Sequence, residues 1–385
     1  MALSRGFRSG MGLAAFASAA LLGGGGGAVL GTCGPFTDVA ADSFCPFVLE
    51  IFTLGITTGT TATTYDPTGN VTRLQMAAFL SRSVDRVLNR GSRRAALNQF
   101  WTQKIVLGSE GFSGDDLGFP ASDGEDIWLP LGSASGNSVY RIHASDRSLL
   151  QQWTGATSAA AAISVEGYVY ITGSTIPGNL YRISWTDFGS VFVVASNLGG
   201  SPHGLAYDGA AIWTANGSGS VSIVPLPCCG ALSTVTAGFG SPAGALYDGS
   251  NVWVTDSFKG TLLKLNASGA ILQTVTVGTD PLYPIFDGAN IWVPNGEDGT
   301  VSVVRASNGA VLATLTGNGL SGAFGAAFDG ERLLVTNFLG DSVSLWKAAD
   351  LSPLGSVSRG VGSAPKFAIS DGIKFWTVGA NLQPF

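Results

Sequence analysis

Short runs of alternating apolar and polar residues fill most of this chain, and glycine, asparagine or aspartate punctuates each run. One stretch, Asp208-Gly-Ala-Ala-Ile212-Trp213-Thr-Ala-Asn216, recurs with variations. Its copies begin at Asp123, Glu166, Asp208, Asp248, Asp287, Asp329 and Asp371, and Gly follows the acid every time. The steps between them are 43, 42, 40, 39, 42 and 42 residues. Trp stands five residues after the acid at Trp128, Trp213, Trp253, Trp292 and Trp376, and Asn or Asp eight residues after it at Asn216, Asp256, Asn295 and Asn337. A fixed period near 40 marks a repeat architecture.

Residues 201–239 show what one repeat builds. Gly204–Tyr207 is short and apolar, and Asp208-Gly209 is a tight hairpin signal, because Gly accepts the positive φ that such turns need. Ile212–Ala215 reads as a second strand, Ser220–Val224 as a third with period-two alternation, and Leu232–Thr236 as a fourth. Four short antiparallel strands per repeat is the pattern of a β-propeller blade. A lone blade cannot bury both faces, so blades must stack, and the recurrent Trp fills the space between them with roughly 150–250 Å² of aromatic surface. The count predicts an all-β, seven-bladed propeller of four-stranded blades. The last copy ends at Phe385 after two strands and a short third, so a strand near 102–108 is expected to complete the seventh blade. Such closure hides sheet edges that otherwise invite pairing with other chains.

Composition agrees with this architecture. The chain has 385 residues, 12% charged, with 55 glycines, against a usual charged share of about a quarter. A net charge of −6 argues against a general nucleic-acid binder, which carries a basic face. At the N-terminus Arg5 and Arg8 precede an apolar core from Met11 to Leu22, the pattern of an export signal. That core is shorter than the roughly 20 residues of a membrane span, and no transmembrane span is expected in the mature chain. Four cysteines suit an oxidising compartment. Cys33 and Cys45 are candidates for a disulfide. The adjacent Cys228 and Cys229 form either a vicinal ring or free thiols.

The organisation read from these features is an export signal and Gly-rich segment over 1–32, a small helical domain over 33–91, a linker over 92–101 and the propeller over 102–385. In the helical domain, residues 44–54 predict a short helix. Thr72 and Gln75 form a capping box, and Met76, Phe79, Leu80, Val84, Val87 and Leu88 follow at helical spacing as one apolar stripe.

The ordered series Phe36-x-Asp-Val39, Gly55-Ile-Thr-x-Gly59, Tyr65-x-Pro67 and Val71-Thr-Arg73-x-Gln75-Met-Ala-Ala-Phe-Leu80 resembles an S-layer homology (SLH) domain. The resemblance implies an exported bacterial protein attached to an anionic cell-wall or surface polymer at the cell envelope, with Thr72 and Arg73 contributing to polymer binding. Gln75 stands where the family usually has Glu, and one copy is present where wall-anchored proteins typically carry three.

The blades in turn resemble YVTN-type repeat propellers through Val254-Thr-Asp256 and Val335-Thr-Asn337, and the streptogramin B lyase family through Pro202-His-Gly-Leu-Ala-Tyr-Asp-Gly209. The resemblance implies a ligand face built from loops entering the innermost strands and loops joining second to third strands. Those loops hold His203, Asp256, Phe258, Lys259, Asp280, Tyr283, Asn295, Glu297, Asp298, Phe338, Asp341 and Lys366. The lyases use His and acidic residues with a divalent metal. This chain has only two histidines; His143 falls in a third strand away from the channel, leaving His203 as the one catalytic candidate. The recurrent Asn and Asp read as turn formers that bond nearby backbone, not as a ring of metal ligands, and no metal or cofactor is expected. The first expectation is a surface-attached binding protein whose propeller meets a protein or glycan. The alternatives are a metal-dependent lyase or lactonase and a purely architectural envelope component.

Overall fold

The computed structural model describes residues 35–39, 45, 48, 51–52, 57–73, 75–77, 79–80, 112, 116–132, 134, 136–184, 190–227 and 231–385. They fall into two units, one within residues 1–90 and one within 91–385. The export signal, Cys33, the linker, the strand expected at 102–108, and Cys228 and Cys229 all lie outside the described residues.

In the first unit, Phe36, Val39, Cys45 and Val48 are buried and Phe52 and Tyr65 pack on them. The rings of Phe36 and Phe52 meet edge to face at 5.1 Å. Cys45 is disulfide-bonded. Asp38 accepts the backbone N–H groups of Tyr65 and Asp66, and these bonds hold its carboxyl below the usual range. The capping box is present: the Thr72 hydroxyl accepts Gln75 N–H at 3.2 Å, and Thr72 N–H donates to Gln75 Oε1 at 2.8 Å. Met76 and Leu80 of the apolar stripe that follows it are exposed among the described residues.

The second unit is a ring of seven antiparallel sheets. The third blade is typical, with strands Pro202–Tyr207, Ala211–Asn216, Ser220–Pro225 and Ser233–Val235 running from the channel outward. Second strands are buried throughout, whereas outer strands such as Ser233–Val235 face solvent. The middle of each blade is therefore sandwiched between neighbours, which explains its near-continuous apolar character. Separate buried clusters fill the successive blade interfaces, and in one of them Trp376 of the seventh blade joins Ile127, Leu129 and Ile142 of the first. The last blade thus packs on the first. Its described strands are Phe367–Ser370, Phe375–Val378 and Leu382–Pro384, and Leu382 N–H at their edge donates to Phe112 O at 3.2 Å.

The recurrent acid does two jobs. In Asp208, Oδ1 accepts the N–H groups of Ala210 and Ala211 and shapes the hairpin, while Oδ2 accepts the indole N–H of Trp213 at 2.7 Å. The same Trp-to-Asp bond joins Trp128 to Asp123, Trp253 to Asp248, Trp292 to Asp287 and Trp376 to Asp371. The two copies lacking Trp find substitutes. Arg332 binds Asp329 at 2.7 Å, and the Tyr207 hydroxyl donates to Glu166 at 2.9 Å. A buried indole N–H needs an acceptor, so acid and Trp recur together.

The first blade adds a charged cluster. Buried Asp126 binds Arg141 Nε at 2.6 Å and His143 Nδ1 at 2.9 Å. His143 lies in the third strand, Ser138–His143, and its bond to Asp126 raises its pKa above the ordinary 6.5 against an opposing effect of burial. Protonated His143 therefore stabilises the fold fully below the unfolded value, and this contribution fades as pH rises through the raised folded value. The stability advantage of wild type over His143→Gln, read from urea midpoints, is expected to be largest near about pH 5.5 and smallest near about pH 8.5. An advantage that grows with pH would contradict the assignment.

Candidate functional site at the channel mouth

The loops that join second to third strands and those that lead into inner strands share one face of the ring. On this face the channel opens into a cavity of about 610 Å³. Its wall includes Asp116, Ser158, Ser174 and Lys366. Its floor is aromatic: Tyr283 stacks on Phe324 at 5.6 Å, and Phe367 meets Tyr283 edge-on at 5.1 Å. Phe119 joins this cluster at 5.6 Å from Tyr283. A second cavity of about 390 Å³ lies toward the other end of the inner strands, and His203 and Tyr283 line both. These two residues mark the waist where the two cavities adjoin.

The waist is electrically neutral. Burial lowers the pKa of His203 and leaves its imidazole uncharged at pH 7. Burial, with a smaller contribution from Asp280, pushes the Tyr283 phenol up and keeps it protonated. The ammonium of Lys366 sits 5.5 Å from the Phe338 ring centroid and joins no ion pair among the described residues. Phe338 in turn lies 5.9 Å from Phe324, so a cation and a continuous aromatic surface border the same space.

Of the residues expected on the ligand face, His203, Tyr283, Phe338 and Lys366 converge on the cavity. Asp256 and Asn295 do not; both are fully buried inside blades. Asp256 accepts the N–H groups of Gly240, Ser241 and Lys259, and Asn295 donates to the hydroxyls of Thr300 and Ser302. Asn216 and Asn337 make the same serine contacts in their blades. The three asparagines tie the second strand to the third, and Asp256 and Asn295 bind the incoming loop, Asn295 by accepting Gly278 N–H, rather than only shaping their own turn. The reason is burial: a polar group at a strand end sealed by its neighbours must find partners inside.

Lys259, Asp298 and Asp341 remain on the loops, each bound to backbone. Lys259 donates to Gly238 O at 2.6 Å, Asp298 accepts Thr279 N–H at 2.6 Å, and Asp341 accepts the N–H groups of Ala364 and Gly362. Those bonds hold the Asp341 carboxyl below the usual range. Asp280 moves the other way, raised by burial and then by the nearby charge of Glu297. Phe258 is exposed, and so are Ile176, Leu339 and Val361 in other loops of this face.

The sequence reading missed Phe119, Phe324 and Phe367. A signal was available, since Phe119, Tyr283 and Phe367 stand four residues before their repeat acids and Phe324 stands five before. That position points into the channel. Among the described residues no three His, Cys, Asp or Glu side chains come together as ligands. No helix among the described residues is long and apolar enough to cross a membrane.

Residues 35–77 match the S-layer homology domain family, a domain type of surface-anchored proteins. No curated protein matches the sequence. Among solved structures, a streptogramin B lyase is similar with a TM-score of 0.58 at 12% identity, over 72% of this chain and 94% of that one. A virginiamycin B lyase from Staphylococcus aureus is similar with a TM-score of 0.57 at 14% identity, over 71% and 94%. The WD40 propeller domain of Doa1 is similar with a TM-score of 0.58 at 12% identity, over 72% and 93%. Lyases and a WD40 domain score alike, so the likeness is one of fold.

Proposed function

We propose that this is an exported envelope protein whose S-layer homology segment attaches it to an anionic cell-wall or surface polymer, while the propeller presents its loop face to a protein or glycan. The observation that carries the attachment is the state of Arg73. It begins the helix next to Thr72, it is exposed, and it joins no ion pair among the described residues. A free guanidinium is suited to bidentate bonds with carboxylate or phosphate. The Thr72 hydroxyl accepts Gln75 N–H and keeps its own proton for a ligand oxygen.

His203 supports a lyase less well. It is neutral and could accept a proton, but a general base needs an orienting partner and an electrophilic stabiliser beside it. No hydrogen bond to His203 is found among the described residues. The attachment is tested by sedimenting the purified full chain with sacculi that retain their secondary polymers. Wild type is expected to bind saturably, and Arg73→Ala to weaken binding about tenfold, as loss of a charge-assisted bond implies. Arg305→Ala, an exposed propeller site, is expected to bind as wild type does. Equal binding by wild type and Arg73→Ala would overturn the assignment.

A further inference from the structure

We infer that the cavity at the channel mouth binds an aromatic acid, a planar ring system carrying a carboxylate, with its rings on the aromatic floor and its carboxylate at Lys366. The inference rests on the reading of the propeller as a binding module and names the chemistry of its occupant.

The argument starts from size. A cavity of about 610 Å³ falls in the range of roughly 300–1,000 Å³ typical of small-molecule sites. Its floor then selects for rings. Tyr283 and Phe324 present nearly parallel planes, 22° apart, and Phe338 continues the surface toward Lys366. Aromatic pairs favour offset-stacked and edge-on contacts, and this floor offers both. The charge pattern sets the sign of the ligand. Lys366 brings an ammonium that no carboxylate of the described residues neutralises. The other charged side chain of the lining, Asp116, is exposed and forms no ion pair with Lys366. His203 and Tyr283 are neutral at the waist, so they offer hydrogen bonds without repelling an anion. Apolar loop tips at Phe258, Ile176 and Leu339 extend the apolar character of the face beyond the cavity. A carboxylate set against Lys366 exchanges a weak ammonium–ring contact for a charge-assisted bond.

The test is titration of the full chain with naphthalene-1-carboxylate, against naphthalene-1-methylamine and cyclohexanecarboxylate as probes that lack the negative charge or the planar aromatic rings. The naphthoate is expected to bind about tenfold more tightly than either. Lys366→Met is expected to abolish its advantage over the amine, and Lys366→Arg to retain it. Lys347→Met, a lysine of the sixth blade's third strand, controls for general charge. Circular dichroism confirms that each variant is folded. Absence of naphthoate binding, equal binding of the amine, or indifference to Lys366→Met overturns the inference. Sacculus binding read in parallel separates this failure from failure of the attachment, because the two depend on different residues.

Discussion

Replacing Trp292 by alanine is expected to lower the unfolding free energy by about 3–5 kcal/mol, the usual cost of removing a large buried aromatic. Trp292 is fully buried, and its cluster spans two blades, with Val301 and Val303 from its own and Leu333, Val335 and Trp346 from the next. Its loss opens a cavity in the interface instead of within one sheet. Its indole N–H also donates to Asp287 Oδ2 at 2.7 Å, while Asp287 Oδ1 accepts the N–H groups of Ala289 and Asn290. Trp292→Phe keeps most of the ring but leaves that oxygen only the long contact from Asn290 Nδ2 at 3.4 Å, a change expected to cost about 1–3 kcal/mol. Asp287→Ala strands the indole and both amides. A double-mutant cycle of Trp292→Phe and Asp287→Ala by urea unfolding should show coupling, because the two side chains share one bond. Simple additivity would mean that the bond carries no stability.

This pairing also marks where sequence reading worked and where it stopped. The period, the seven blades and the packing role of Trp were legible because strand alternation and Asp-Gly turns act locally and repeat. The bond between acid and Trp was not, although the spacing of five was in view. It needs the hairpin to curl back so that one carboxylate reaches both the turn amides and the indole, which is a three-dimensional fact. Asp256 and Asn295 failed as ligand-face residues for a related reason. Their sequence context is that of a loop, but the neighbouring serines and the incoming loop seal them inside. In the first unit, the Thr72–Gln75 box was legible because it depends on four consecutive residues. The exposure of Met76 and Leu80 was not, since helical spacing says that a stripe exists and not what covers it.

Gly325→Val is expected to destabilise the ring by about 1–3 kcal/mol or more through overpacking, and to weaken binding in the cavity as well. A Cβ at Gly325 would stand 2.6 Å from Lys366 O and 3.3 Å from Phe367 Cα, both on the next blade. No side-chain rotation relieves a contact with backbone. The same place is bridged by Thr336, whose hydroxyl accepts Gly325 N–H at 2.9 Å and donates to Lys366 O at 2.7 Å. Inner strands of adjacent blades are thus held at a distance that only glycine permits. Gly244 repeats the arrangement, with a Cβ 2.6 Å from Leu282 O and Thr255 bonded to that oxygen at 2.6 Å. Pushing the seventh blade outward moves Lys366 and Phe367 together, so Gly325→Val should weaken naphthoate binding although residue 325 does not line the cavity. Gly244→Val, between the fourth and fifth blades, should cost similar stability and, with its Cβ 3.0 Å from Tyr283 Cα, disturb the aromatic floor while leaving Lys366 in place. Thermal unfolding read beside naphthoate and amine titrations separates the two, since loss of the lysine's position removes the preference for the acid and a disturbed floor weakens both probes. If Gly325→Val were as stable as wild type, the inner strands would be free to part, and the close packing at the channel would not be what holds the lysine against its aromatic floor.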